Sequence, residues 1–245
     1  MRARLVLVPV ALAAALLAGC TTSTPQTTPT TAPADNGVSA LPAAEILNRA
    51  TTALINAKSF HVKGEVISGG ETVKADVQLS GNNGKGTLVS AGQTIEIIRD
   101  GEDGYLKVPA DFLALLIPPG TPNAPSADQL AALLKDKYIK IPVRNAIFAA
   151  LASAIDPNEL LKATGTLSVG EAKTVNGVPT IAIVDGDAKD GGTIYVATTG
   201  EPYPIRLEAK AGGAGLDFSD FGATVDIKAP TADQVFDATA FLPAS

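Results

Sequence analysis

The 245-residue chain has one cysteine, one histidine, one methionine and no tryptophan. A single Cys excludes a disulfide framework and any multi-cysteine metal site. A single His excludes metal centres built on several imidazoles. Basic residues are outnumbered, 19 against 25 acidic ones, for a formal net charge of −6. That balance argues against nucleic acid, whose phosphates need clustered Lys and Arg. No G-x-S-x-G elbow, S-x-x-K motif or P-loop occurs. Aromatic residues make up only 4%, so few large rings exist to fill an interior. What is present is apolar: 46% of residues are hydrophobic, too many for a disordered chain. The length suits one large domain or two small ones.

The leading residues have their own pattern. Arg2 and Arg4 precede an apolar run from Leu5 to Leu17, followed by Ala18, Gly19 and Cys20. A basic start, a short apolar stretch and small residues at its end read as a secretory signal over 1–19. The run is too short to span a bilayer comfortably. Leu17-Ala18-Gly19-Cys20 also has the form of a lipobox, in which the Cys thiol takes a diacylglyceryl group and becomes the new N-terminus. The only Cys of the chain stands where that chemistry needs it. Residues 20–41, rich in Thr and Pro and with little to bury, read as a flexible tether behind the lipidated Cys20. The expected location is the extracytoplasmic face of a cell membrane, held by the N-terminal lipid.

From residue 42 the pattern is that of a single folded domain over 42–245. Ile46, Leu47, Ala50, Leu54 and Ala57 fall at helical spacing after Pro42. The period then changes to two. Phe60, Val62, Gly64 and Val66 alternate with His61, Lys63 and Glu65, and Val73, Ala75, Val77 and Leu79 alternate with Lys74, Asp76 and Gln78. Gly69-Gly70, Gly81-Asn82 and Asn176-Gly177 are tight turns, so the strands form antiparallel meanders. Short helices are expected over 111–117, 127–134, 145–154 and 157–163, around a PPGTPNAP loop. Strands are expected to resume at about 165–174 and to end with one at 223–228. The fold class is α+β: a strongly curved antiparallel sheet of ten or eleven strands, with helices as the only cover for its apolar face.

Few residues suggest chemistry. His61 alternates with buried neighbours and should face outward, away from any nucleophile. Asp220-Phe221-Gly222 matches a kinase magnesium motif by chance, since no glycine-rich loop accompanies it. Asp185 to Gly191 resembles a calcium loop, but Lys189 occupies a ligand position and the closing Glu is missing, so a hairpin loop is expected. No catalytic residue, metal site or cofactor is assigned. What remains is an aliphatic set: Val62, Val66, Val77, Leu79, Ile95, Ile97, Leu106, Val108, Ile181, Ile183, Ile194, Val196, Ile205 and Leu207. These residues either pack a core or wall a cavity, and periodicity does not separate the two. The scarcity of aromatics favours a cavity.

Lipobox, Thr/Pro tether, a helix ending at Ala57-Lys58-Ser59-Phe60-His61 and two meanders flanking central helices together resemble the LppX/LprG lipoprotein family of mycobacteria and their actinobacterial relatives. Gly192-Thr193-Ile194-Tyr195-Val196, Pro204-Ile205-Arg206-Leu207-Glu208, Leu216 to Gly222, Val225-Asp226-Ile227 and Pro230 carry the resemblance at the C-terminal end. It implies a half-barrel like the LolA and LolB lipoprotein carriers, enclosing an apolar cavity. It also implies a ligand, an acyl lipid or lipoglycan moved through the cell envelope, with an envelope transporter as a further partner. The Pro-rich loop and the helices within 127–154 would then close the mouth. The alternative on the same fold is a non-enzymatic interaction or sensing module whose interior is filled and carries no lipid. If the aliphatic set walls a cavity, changing Val77 or Ile183 to Trp should lower the lipid recovered by solvent extraction while the domain stays folded.

Overall fold

The computed structural model describes residues 34–68, 71–109, 112, 126–153, 156–187, 191–210 and 214–238. The expected signal peptide, Cys20 and most of the tether lie outside these residues. So do the PPGTPNAP loop and, apart from Phe112, the helix expected over 111–117.

The first helix is α1, Ala43–Asn56. Pro42 sits at its N-cap in extended conformation, and its carbonyl accepts from the N–H groups of Glu45 and Ile46. Ile46, Ala50 and Leu54, spaced by four, are fully buried. The helix stops at Lys58, whose φ of 65° is left-handed. The chain ahead of α1 is docked rather than free. Asp35 bridges Thr199, the Asn36 side chain donates to the carbonyls of Ala197 and Gly200, and Val38 is 1% exposed. Residues 35–38 therefore pack on the folded body, ahead of α1.

Among the described residues, twelve strands form one sheet: β1 Ser59–Ser68, β2 Glu71–Ser80, β3 Asn83–Ser90, β4 Gln93–Asp100, β5 Asp103–Lys107, β6 Tyr138–Pro142, β7 Leu167–Val175, β8 Val178–Asp185, β9 Gly192–Ala197, β10 Pro204–Ala209, β11 Gly215–Ser219 and β12 Val235–Asp237. Their order is β12-β6-β5-β4-β3-β2-β1-β11-β10-β9-β8-β7. The sheet is curved and unclosed, with β7 and β12 as its two edges. Every pair is antiparallel except β12 with β6. Short helices α2 Ala127–Leu133, α3 Ala146–Ser153 and α4 Pro157–Leu160 come between β5 and β7. Asp156 caps α4 by accepting from the Asn158 N–H, with Pro157 in the first turn. The strand expected at 223–228 is irregular chain instead. Polar groups of that stretch are taken by side chains: the Ser59 hydroxyl donates to the Ala223 carbonyl and Lys85 Nζ to that of Asp226.

One row across the sheet shows how the concave face is built. Phe218, Val62, Val77, Gly86, Ile97, Leu106 and Ile139 are register partners on seven consecutive strands. All but Gly86 belong to one buried cluster, which also takes in the apolar face of α1. Each aliphatic side chain so buried contributes about 1.5–3 kcal/mol. A Cβ at Gly86 would lie 2.2 Å from the Asp76 carbonyl oxygen, so only glycine lets β3 approach β2 this closely. α1 lies over β7 to β10. Over β5, the cover is Phe148 of α3, which is 1% exposed and sits where a Cβ at Gly104 would be, 2.4 Å from its ring. A second, smaller cluster lies on the convex face: Val175, Ala182, Tyr195, Ala197 and Ile205, under a Tyr203–Phe221 stack at 4.0 Å.

Asp185, at the end of β8, is 8% exposed and accepts from the backbone N–H groups of Thr164, Gly165 and Asp187 at 2.7–3.0 Å. Burial opposes its ionisation, but these donors outweigh burial and hold its pKa below the usual carboxylate value.

Two outcomes are expected. Gly104→Ala should lower unfolding free energy by about 1–3 kcal/mol through overpacking against Phe148. Much of that loss should return in the Gly104→Ala/Phe148→Leu double variant; strict additivity in urea melts would contradict the contact. Asp185→Asn should cost about 1–3 kcal/mol near neutral pH. The folded-state pKa is depressed, so this contribution is present above about 4 and fades as pH falls through the folded value. The gap between wild type and variant should therefore close in acid.

Candidate functional site

Between the sheet and the central helices runs a cleft of about 100 Å³. Its floor is Val77 and Leu79 of β2 and Ile97 of β4, with Phe60 of β1 at one side. Its roof is Phe148 and Ala152 of α3. Its rim carries the turn Gly81-Asn82-Asn83-Gly84, Arg99 and the start of α4 at Asp156 and Pro157. Gly84 lines it, and Gly84 and Gly104 flank Arg99 in register. The rim is held together where the Gly101 N–H donates to Asn83 Oδ1 at 2.9 Å, joining the β2–β3 turn to the β4–β5 turn.

Two depressions enclose more space but are of another kind. One, of about 270 Å³, lies among Thr94, Glu96, Lys107, Lys135 and Asp136. The other, of about 340 Å³, lies among Lys63, Glu65, Lys74, Asp76 and Thr87. Each wall mixes these charged side chains with apolar ones, Val108, Pro109, Ala131 and Leu134 in the first and Ala75 and Val89 in the second. Near the first, the Tyr138 hydroxyl donates to Glu96 Oε2 at 2.6 Å. Burial, reinforced by that bond and by the Glu96 charge, pushes the Tyr138 pKa up to about 12.

The aliphatic set singled out from the sequence is mostly brought together. Val62, Val77, Ile95, Ile97, Leu106, Ile181, Ile183, Ile194 and Val196 are buried in the one concave cluster. Leu79, Val108 and Leu207 are partly buried and packed against it. The side chain of Val66 lies outside the described residues. Ile205 goes elsewhere. A register shift between Pro204 and Arg206 makes it the extra residue of a bulge, and it packs in the convex cluster with Tyr195 and Ala182. Of the whole set, only Val77, Leu79 and Ile97 line the cleft. Ile183 is fully buried on β8, among the strands that α1 covers. Trp there would overpack the core, so Val77 is the position at which to fill the cleft.

The groups considered for chemistry lie apart from the cleft. His61 is on the opposite face, with Nε2 2.7 Å from Asp76 Oδ1 and Nδ1 3.5 Å from Asp220 Oδ2. Asp76 also receives Lys63 Nζ at 2.8 Å, and hydrogen bonds from Lys63 and then His61 lower its pKa. Asp103, in the acidic turn after β4, pairs with Lys140 at 2.9 Å. Asp185, the head of the calcium-like run, spends both oxygens on N–H groups. Among the described residues, no group of three or more His, Cys, Asp and Glu side chains could hold a metal. No helix among them is long and apolar enough to cross a membrane.

Three residues that shape the cleft went unnoticed in the sequence. Arg99 carries a visible signal, since it continues the inward alternation of Ile95 and Ile97 along β4. Phe148 and Gly104 carry none, because their contact joins segments more than forty residues apart.

No family profile matches the chain, and no curated protein does. Among solved structures the chain is similar to LprF from Mycobacterium bovis, with 12% identity and a TM-score of 0.47, over 78% of this chain and 97% of that one. It is similar to the lipoprotein LppX from Mycobacterium tuberculosis, with 18% identity and a TM-score of 0.45, over 76% of this chain and 99% of that one. A further likeness is to an uncharacterized conserved protein from Thermus thermophilus, with 13% identity and a TM-score of 0.39, over 80% of this chain and 98% of that one. All three likenesses extend over nearly the whole of the neighbour's chain at low identity.

Proposed function

We propose that the chain is a membrane-anchored envelope lipoprotein that binds the acyl chain of a lipid between α3 and the concave face of its sheet, and carries that lipid through the envelope. The observation behind this reading is the cleft, apolar on floor and roof and opening at a polar rim. Removing acyl chain from water is favourable by about 0.8 kcal/mol per CH₂, and the floor residues Val77, Leu79 and Ile97 offer no competing polar group. The lipobox at Leu17 to Cys20 supports the anchor, and the Thr/Pro segment behind it supports a reach away from the membrane surface. Two acyl chains on one Cys suffice for stable attachment.

The cleft volume of about 100 Å³ is smaller than the ~300–1,000 Å³ of usual ligand pockets. A long chain therefore enters only if α3 moves outward. α3 is suited to that. It has eight residues and a single fully buried large side chain, Phe148. The same fullness favours the rival reading, an interaction or sensing module with a closed interior.

The purified chain should release a stoichiometric acyl lipid into organic solvent, and Val77→Trp should lower that yield while thermal unfolding remains cooperative. A clean extract, followed by failure to load envelope lipids from an actinobacterium, would favour the sensing module. Cys20→Ala should move the protein from the membrane fraction to the soluble fraction of fractionated cells; retention in the membrane would contradict the anchor.

A further inference from the structure

We infer that the cleft takes a lipid with an anionic head, and that Arg99 is the residue that recognises it. The inference rests on the lipid-binding reading above. Arg99 is on β4, in the row Phe60, Leu79, Gly84, Arg99, Gly104 and Ile141 across the concave face. Among the described residues it is the one cation lining the cleft, and it is half-buried. Its register neighbours Gly84 and Gly104 carry no side chains, and the space beside them is taken by Leu79 and by the Phe148 ring, both of which line the cleft.

Two other arginines are held by carboxylates. Arg206 is held by Asp217 at 2.8 Å and by Glu208 at 2.9 Å, and Arg49 by Glu45 at 2.8 Å. Arg99 has no carboxylate within ion-pair distance among the described residues. The hydrogen bond it makes there is a long one, Nε to the Gly101 carbonyl at 3.5 Å. The carboxylate on the same rim, Asp156, forms no ion pair with Arg99; its Oδ1 accepts from the Asn158 N–H at 2.8 Å and the Asn158 amide at 3.2 Å. In a chain of net charge −6, a half-buried guanidinium without a carboxylate partner marks a place for an outside anion. Its fork suits a carboxylate or a phosphodiester, each able to accept two parallel N–H bonds. Asn82 and Asn83 add amides on the same rim. Asn83 gives its Oδ1 to the Gly101 N–H, which leaves its NH₂ as a donor. The acyl tail would run from this rim over Leu79, Val77 and Ile97 under Phe148.

The test compares the purified full-length chain with Arg99→Gln and Arg99→Lys against three single-chain probes: palmitate, lysophosphatidylglycerol and neutral monopalmitoylglycerol. Wild type should bind at least one anionic probe about ten- to a hundredfold tighter than the neutral one. Arg99→Gln should erase that preference, leave the neutral affinity within about twofold and leave the melting curve unchanged. Arg99→Lys should restore only part of the preference, since an ammonium has no fork. Tighter binding of palmitate assigns a fatty-acid carboxylate as the head, and tighter binding of lysophosphatidylglycerol assigns a phosphodiester. Equal affinity of wild type for charged and neutral probes, or an equal loss of all three in a folded Arg99→Gln, overturns the head-group assignment and leaves lipid binding standing. Failure of wild type to bind any of the three overturns the lipid-binding reading itself, and the assignment with it.

Discussion

An open sheet with one apolar face cannot cover that face by itself. A closed barrel buries its interior by meeting its own edge, and a sandwich buries it against a second sheet. Here twelve strands run in one sheet from β12 to β7 without closing, and the concave side is apolar along its length. Cover comes from α1 over β7 to β10 and from Phe148 of α3 over β5. The strands between, β2 to β4, lie under the cleft. Among the described residues, its position thus follows from the gap between these two covers.

The convex side shows the opposite economy. Polar residues alternate outward from the buried row and pair across strands, His61 and Lys63 with Asp76, Arg206 with Asp217 and Tyr138 with Glu96, while Arg206 also pairs along β10 with Glu208. Such exposed pairs contribute little each, roughly 0–1 kcal/mol. They do keep a broad sheet from presenting bare backbone and apolar surface to other chains. Arg99 stands outside this scheme. It follows the inward alternation of β4 and carries its charge to the rim of the apolar cleft, where it meets the Gly101 carbonyl at 3.5 Å.

Much of this was legible from local pattern. The period-two alternation of Val73 to Leu79 and the turns at Gly81-Asn82 and Asn176-Gly177 placed several of the strands. Both residues of the last turn take the positive φ that this hairpin requires, 51° and 81°. The concave face was legible for the same reason, since twelve of the fourteen aliphatic residues named do belong to one cluster or pack on it. What escaped was non-local. A single inserted residue at Ile205, just after Pro204, flips it to the other face. β12 is three residues long and pairs in parallel with a strand nearly a hundred positions earlier. The docking of Asp35 to Val38 depends on carbonyls near 197–200, and Asp185 reads as a loop acid until its three donors are brought to it. Cleft and core were indistinguishable in the sequence because both need the same aliphatic residues. Only the placement of Phe148 over Gly104 divides them.

The central claim is that an acyl chain lies on Val77, Leu79 and Ile97 beneath α3. It is tested most directly by intermolecular NOEs from a ¹³C-labelled palmitoyl chain to the methyl groups of the loaded protein. The account predicts contacts to the methyls of Val77, Leu79 and Ile97 together with the ring protons of Phe148. Contacts confined to exposed methyls such as those of Ile55, Leu133 or Val169, in a protein shown to have bound the lipid, would contradict it.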